Sequence, residues 1–130
     1  MTFEIFIPIK PVAWSRPRFD ARSKIVFNSR ELRSYELALR SHLTRCFFKA
    51  KPISGDVFMR INFFLQPPKK KVRERPGIRP DLSNLVKAVE DAANGVLWGD
   101  DSQIVETIST KTYDWENKKV GVELFVEELK

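Results

Sequence analysis

Acidic residues with a lysine among them dominate the segment RPDLSNLVKAVEDAANGVLWGDDSQIVE, residues 79–106. Asp81 is followed at plus three and plus six by Asn84 and Lys87, which a helix places close to one side. Asp100 and Asp101 follow Gly99 in a short stretch before a strand-like run. Hard divalent cations such as Mg²⁺ take a few carboxylate oxygens and keep several waters. Two or three carboxylates beside a lysine therefore suit phosphodiester hydrolysis. The metal polarises the phosphate and generates a hydroxide, and the lysine stabilises charge in the transition state. The same residues also have purely structural uses. Asp81 after Pro80 fits a helix N-cap, and Asp100-Asp101 after a glycine fits a turn. Lys87, Glu90 and Asp91 fit a solvated helix face.

The charge around this segment is divided along the chain. The 130 residues carry a formal net charge of +6. Residues 1–80 hold 18 of the 23 Lys and Arg and 6 of the 17 Asp and Glu, a net of +12; residues 81–130 hold 5 bases and 11 acids, a net of −6. All eight prolines also precede position 81. A basic part can hold a polyanion, with counterion release driving the binding. The acids can then hold a metal. The candidate phosphate contacts are Arg16 and Arg18 in SRPRF, and Lys69, Lys70, Lys71, Arg73, Arg75 and Arg79 in PPKKKVRERPGIRP. That second segment cannot bury a face, so it is expected to be an exposed, mobile loop.

Positioning elements follow from periodicity. Phe3, Ile5, Ile7 and Ile9 alternate as a first strand, which Pro8 and Pro11 end or keep near an edge. Residues 12–27 read as a loop or irregular hairpin. The first helix is expected to be capped by Asn28, with Glu31 three residues on as in a capping box. Its apolar stripe is Leu32, Tyr35, Leu39, Leu43, Cys46 and Phe47, with His42 at the edge, so His42 and Cys46 are read as packing residues. Asp56 to Gln66 is a strand with Val57, Met59, Ile61 and Phe63 on one side. A second helix runs from about Leu82 to Asn94, buries Leu82, Leu85, Val86, Val89 and Ala93, and stops at Asn94-Gly95. Gln103 to Tyr113 and Lys119 to Leu129 are strands, with Asp114 to Lys118 as an exposed hairpin turn. Two helices packed on one face of a mixed β-sheet, in a single α+β domain, is the simplest way to bury those stripes.

Other functional classes are excluded. One cysteine leaves no internal disulfide or multi-cysteine zinc site, and one histidine leaves no two-histidine metal motif. No apolar run reaches the roughly 18 residues of a membrane span. A strand-like N-terminus carrying Glu4 is not a signal peptide. A cytoplasmic setting, with no membrane partner, is the expectation.

The run DLSNLVK, residues 81–87, followed by LWGDDSQIVE, residues 97–106, resembles the signature of the RusA family of Holliday junction resolvases, many of them of phage or prophage origin. That family has an Asp-Leu-Asp-Asn-Leu-x-Lys run opening a helix, then an aromatic and a paired Asp before a strand. SRPRF, residues 15–19, and NSRELRSYE, residues 28–36, are similar to its upstream basic segment and first helix, so the likeness covers nearly the whole chain. The resemblance implies a homodimeric endodeoxyribonuclease of DNA recombination and repair, dependent on Mg²⁺ or Mn²⁺, that resolves four-way junctions by paired nicks. It assigns catalysis to Asp81, Lys87 and Asp101, and metal binding to Asp81 and Asp101 with Asp100 as a neighbour.

Geometry sets a condition on that assignment. A helix from Leu82 to Asn94 is roughly 20 Å long, with Asp81 at its start and Asp101 beyond its end. Either Gly95 to Asp101 doubles back, or a two-fold dimer with antiparallel helices brings Asp101 of one subunit toward Asp81 of the other. The chain also departs from the family run at Ser83, where the family has its second aspartate. A catalytically weak or inactive branched-DNA binding protein of the same fold is the alternative that this serine motivates. Ser83→Asp restores a carboxylate in a helical first turn, where negative charge is favoured. In a working but under-charged metal centre the substitution tightens Mg²⁺ binding and raises junction nicking, most visibly at low Mg²⁺. Equal and undetectable nicking by both proteins across a metal titration would defeat the enzyme reading.

Overall fold

The computed structural model describes all of residues 1–130. Its elements in chain order are β1 (Thr2–Ile7), β2 (Arg18–Asp20), β3 (Ile25–Phe27), α1 (Arg30–Phe47), β4 (Asp56–Leu65), α2 (Leu82–Ala93), a 3-10 turn at Asp101–Gln103, β5 (Ile104–Tyr113) and β6 (Gly121–Leu129). β2 and β3 form a small antiparallel hairpin. The other strands form one mixed sheet in the order β1-β6-β4-β5. β4 is antiparallel to β6 and parallel to β5. α2 is the crossover that a parallel pair requires.

Alternation places the core. On β4, Val57, Met59, Ile61, Phe63 and Leu65 are buried, and their partners on β6 include Val126, Leu124 and Val122. Leu32, Tyr35, Leu39 and Leu43 of α1, with Leu85, Ala88, Val89, Ala92 and Ala93 of α2, join the same 22-residue cluster. The α+β arrangement with both helices against one sheet face is therefore the one read from periodicity. Trp98 and Leu97 are wholly buried and anchor the chain just after α2.

Three local expectations are corrected. The N-cap of α1 is Ser29, whose hydroxyl accepts the Leu32 N–H, rather than Asn28. Cys46 is exposed, because the stripe continues from Leu43 in a step of four to Phe47, which packs edge-to-face on Phe3 at 4.8 Å. Asp114 to Lys118 is not a hairpin, since β5 pairs only with β4, while β6 lies on β4's other side. Asp114 is 6% exposed. Its N–H donates to the Leu65 carbonyl at 2.9 Å, and its carboxylate accepts the Lys119 N–H at 2.8 Å. These bonds lead the chain across the end of β4 instead of back along β5.

Asp114 thus holds the connection between β5 and β6 across the end of β4. Asp114→Ala leaves the Lys119 N–H without its acceptor and is expected to cost about 1–2 kcal/mol. Urea unfolding monitored by tryptophan fluorescence measures this; an unchanged midpoint would show that the loop holds its course without the carboxylate.

Candidate nuclease site

Asp81 stands at the N-terminus of α2 and makes no side-chain capping bond. Its carboxylate is exposed and free for another partner. Lys111 of β5 holds this end of the helix in place: its Nζ donates to the carbonyls of Pro80 at 2.7 Å and Ile78 at 2.8 Å. Trp14 supports the other side. Its N–H donates to the Asn84 carbonyl at 2.8 Å, and the Lys87 ammonium lies 5.0 Å from its ring. A cation over an indole face is attracted by the ring's quadrupole. Asp81 and Asn84 line an open groove of about 580 Å³ together with Ala13, Trp14, Ser15, Arg79 and Pro80.

The basic segments gather at this same end. Ser15 leads directly to Arg16, Pro17 and Arg18, and Arg79 shares the groove with Asp81. The 66–80 segment is exposed, as expected, but is tied down rather than loose. Pro76 is buried, Lys111 grips the Ile78 and Pro80 carbonyls, and the Trp115 indole N–H donates to the Glu74 carbonyl at 3.2 Å. The structure contains two ion pairs, Lys71–Glu74 and Lys118–Glu116, both exposed. Arg16, Arg18, Lys69, Lys70, Arg73, Arg75 and Arg79 are therefore cations without an acidic partner.

The second acidic motif lies at the opposite end of α2. Asp100 is committed to structure. Its carboxylate accepts the Ser102 N–H at 3.1 Å and forms a reciprocal capping box with Gln103, and these bonds hold it below the usual carboxylate range. Gln103 is the hub of the turn. Its Oε1 accepts the N–H groups of Gly99 and Asp100, and its Nε2 donates to the Ile53 and Gly55 carbonyls. Asp101 is left half-buried beside α2, where it acts on two helix acids. Glu90 is raised first by burial, then by the charges of Asp101 and Asp91, against Lys87. Asp91 is raised by burial, with Lys87 opposing and Asp101 adding.

One chain therefore brings Asp81, Asn84 and Arg79 together, and separately Asp101, Glu90 and Asp91, with Lys87 between them, over the Trp14 ring and close enough to act on Glu90 and Asp91. It does not bring Asp81 to Asp101. α2 has twelve residues, about 18 Å of helix, and Gly95 to Asp100 close the end of the helix without returning to its start. No group of three or more His, Cys, Asp or Glu side chains within the chain is placed to hold a metal ion. Glu90 and Asp91 are half-buried rather than fully solvated. Trp14, Lys111, Gln103 and these two acids were not singled out by spacing. Of these, only Gln103 carried a sequence signal, the Asp-x-x-Gln capping pattern with Asp100.

With this geometry in view, comparison with known proteins is decisive. Residues 8–125 match the family model for endodeoxyribonuclease RusA. This chain belongs to the RusA endodeoxyribonuclease family. It is also 31% identical to the uncharacterized protein YqaN of Bacillus subtilis (strain 168), over 92% of each chain. No helix is long and apolar enough to cross a membrane. The family places the unpaired cations in the setting of a nucleic-acid-cutting protein.

If those cations meet phosphates, their number is readable in salt dependence. Lys69→Gln with Lys70→Gln is expected to weaken binding to every DNA shape and to flatten the slope of log K against log salt by about two units. Lys71→Gln changes it less, because Lys71 already has Glu74 at 2.7 Å and the Trp115 ring at 5.1 Å. Binding titrations from low to moderate salt measure the slopes. An unchanged slope in the double variant would make the segment a solvated linker.

Proposed function

We propose that this protein is a metal-dependent, structure-selective endodeoxyribonuclease that works as a two-fold dimer on four-way DNA junctions. Each site takes Asp81 from one protomer and Asp101 from the partner subunit. The observation that carries this reading is the separation of the two half-sites by a rigid helix, with a free carboxylate at one end and a half-buried one at the other. A single chain does not supply a converging donor set for Mg²⁺ or Mn²⁺, whereas two antiparallel copies of α2 would supply Asp81 with Asp101 of the partner subunit.

The chemistry of the donors fits a hard cation: carboxylates free of capping duty, beside a lysine and unpaired arginines. Asp81 and Asp101 of the partner subunit would hold a Mg²⁺ or Mn²⁺, which would supply neutralisation of charge at the scissile phosphate and a lowered pKa of water. The chain's own residues do the rest. Arg79, Arg16 and Arg18 draw the phosphodiester backbone to the end of α2 where Asp81 stands. Lys87, held beside Trp14, presents a positive charge to the phosphate as negative charge builds in the transition state. Lys111 and Gln103 act as positioning residues, one holding the loop that carries Asp81 and the other the turn that carries Asp101. Two symmetric sites suit paired nicks on a two-fold junction. Ser83 favours a second reading, a weak or inert junction-binding protein, because it leaves one carboxylate fewer beside Asp81.

Mixing two inactive variants tests the shared site. Asp81→Asn and Asp101→Asn alone are each expected to abolish nicking while leaving folding and junction binding largely intact. After the two are unfolded and refolded together, each mixed dimer would hold one site with both aspartates and one with neither. Single-strand nicking is expected to return to about a quarter of the wild-type level, since roughly half the dimers are mixed and each has one good site. Nicking by either variant alone would end the metal-site proposal. No recovery on mixing would place both aspartates of each site in the same chain.

A further inference from the structure

The β2–β3 hairpin is apolar without belonging to the core. Phe19, Ile25, Val26 and Phe27 are all exposed, Phe19 by 63% and Val26 by 64%. None of the four joins the core or the half-buried layer packed against it. Phe19 pairs with Val26, so these two project from one face of the ribbon, and Ile25 and Phe27 project from the other. The turn is closed from within. The Asp20 carboxylate accepts the Arg22 N–H at 3.0 Å and the Ser23 hydroxyl at 2.9 Å, and the Asp20 carbonyl accepts the Lys24 N–H at 2.8 Å. A two-stranded ribbon open on both faces is marginal by itself in water, and apolar patches left exposed in this way mark contact surfaces.

Charge says what meets this surface. Arg16, Arg18, Arg22 and Lys24 lie along the hairpin and make no ion pair. Its one acid, Asp20, is occupied by the turn. Cations around an aromatic ring suit a nucleic acid whose bases are open: the phosphates meet the cations and a base face meets the ring. We infer that Phe19, with Val26 beside it, inserts at the branch point of a four-way DNA junction and stacks on the bases open there. This rests on the junction reading above and names the side chain that selects the branched structure.

Phosphate contacts alone do not distinguish a junction from a duplex, because the arms of both carry the same backbone charge. Insertion does. An apolar side chain that enters a base step must unstack it. An unbroken duplex imposes that cost in full, whereas a branch point has its stacking already interrupted and yields more cheaply. The hairpin also stands where such a contact would direct cleavage. Ala13, Trp14 and Ser15 line the groove beside Asp81, and only Arg16 and Pro17 separate Ser15 from the start of β2. Pro17 restricts the backbone of that link. A branch point held by Phe19 therefore lies close to the phosphates that Arg16, Arg18 and Arg79 draw toward Asp81.

The test uses the full chain in the presence of chelator, so that no strand is cut. The probes are a synthetic four-way junction with 2-aminopurine at the branch point and a linear duplex of the same arm sequence. The parent is expected to bind the junction more tightly than the duplex and to raise the 2-aminopurine fluorescence as the base leaves its stack. Phe19→Thr removes the ring but keeps a strand-forming residue, so the hairpin persists. It is expected to weaken junction binding about ten- to hundredfold and to abolish the fluorescence rise. Duplex affinity and the salt slope are expected to stay as in the parent, because the phosphate contacts are intact. Phe19→Tyr is expected to behave as the parent does, and so is Phe48→Thr, which removes a ring that is 71% exposed just after α1. A parent with no preference for the junction, an equal loss on both DNAs, or a fluorescence rise that survives Phe19→Thr would overturn the insertion. So would a changed sedimentation coefficient of Phe19→Thr without DNA, which would make a second copy of the chain the occupant of the hairpin. The nuclease reading fails separately. A parent that passes this test but nicks no junction once Mg²⁺ is restored keeps the insertion and loses the enzyme. A parent that nicks junctions while Phe19→Thr binds them equally well does the reverse.

Discussion

The constraint on which the rest depends is the rigidity of α2. Twelve residues of helix, buried along Leu85, Ala88, Val89, Ala92 and Ala93 against the sheet, hold the two acidic motifs apart by their own length. Nothing in the chain after α2 relaxes this. Arg40 donates to the Asn94 carbonyl at 2.8 Å, the Trp98 indole N–H donates to Asn94 Oδ1 at 2.7 Å, and Gly95 takes a φ of +82° that a residue with a side chain rarely adopts. These contacts turn the chain sharply beneath the helix and deliver Asp101 to the start of β5.

Around that rod, each end has its own electrostatic character. The Asp81 end collects cations that find no acidic partner, because the acids are concentrated in the later part of the sequence and lie elsewhere in the fold. The Asp101 end collects carboxylates close enough to raise the proton affinity of Glu90 and Asp91. Both conditions are unfavourable in an isolated chain, one through repulsion among cations and the other through repulsion among acids. A polyanion relieves the first and a cation the second. The fold thus maintains two complementary unsatisfied surfaces, as expected of a protein that acts on DNA.

The asparagine and glutamine hubs show how little of this depends on charged contacts. Asn94 and Gln103 close the turn between α2 and β5 with neutral hydrogen bonds, and Asp100 serves them as a cap. Of the paired aspartates, one is therefore spent on local structure and the other is left free. Identical neighbours in sequence do different work because backbone N–H groups surround one and helix side chains the other.

Much of this was legible in the residues. The alternation of β4 and the stripes of α1 and α2 dictated which faces are buried, and hence the α+β layering, since apolar periodicity follows directly from backbone geometry. The motif spacing around Asp81, Lys87 and Asp101 pointed to the family. The sequence also stated the helix length, and so the problem of joining Asp81 to Asp101. What it left open was decided by long-range contacts. Strand order was one case: β6 pairs along β4, and the chain crosses to it at Asp114, bonded to Lys119 and Leu65, which local turn signals did not reveal. Another was the grip of Lys111 on the Pro80 carbonyl beside Asp81, made between residues 31 positions apart. Whether the chain doubles back was the last, and the tertiary structure answered it because only packing against the sheet fixes where a helix ends in space relative to the strand that follows.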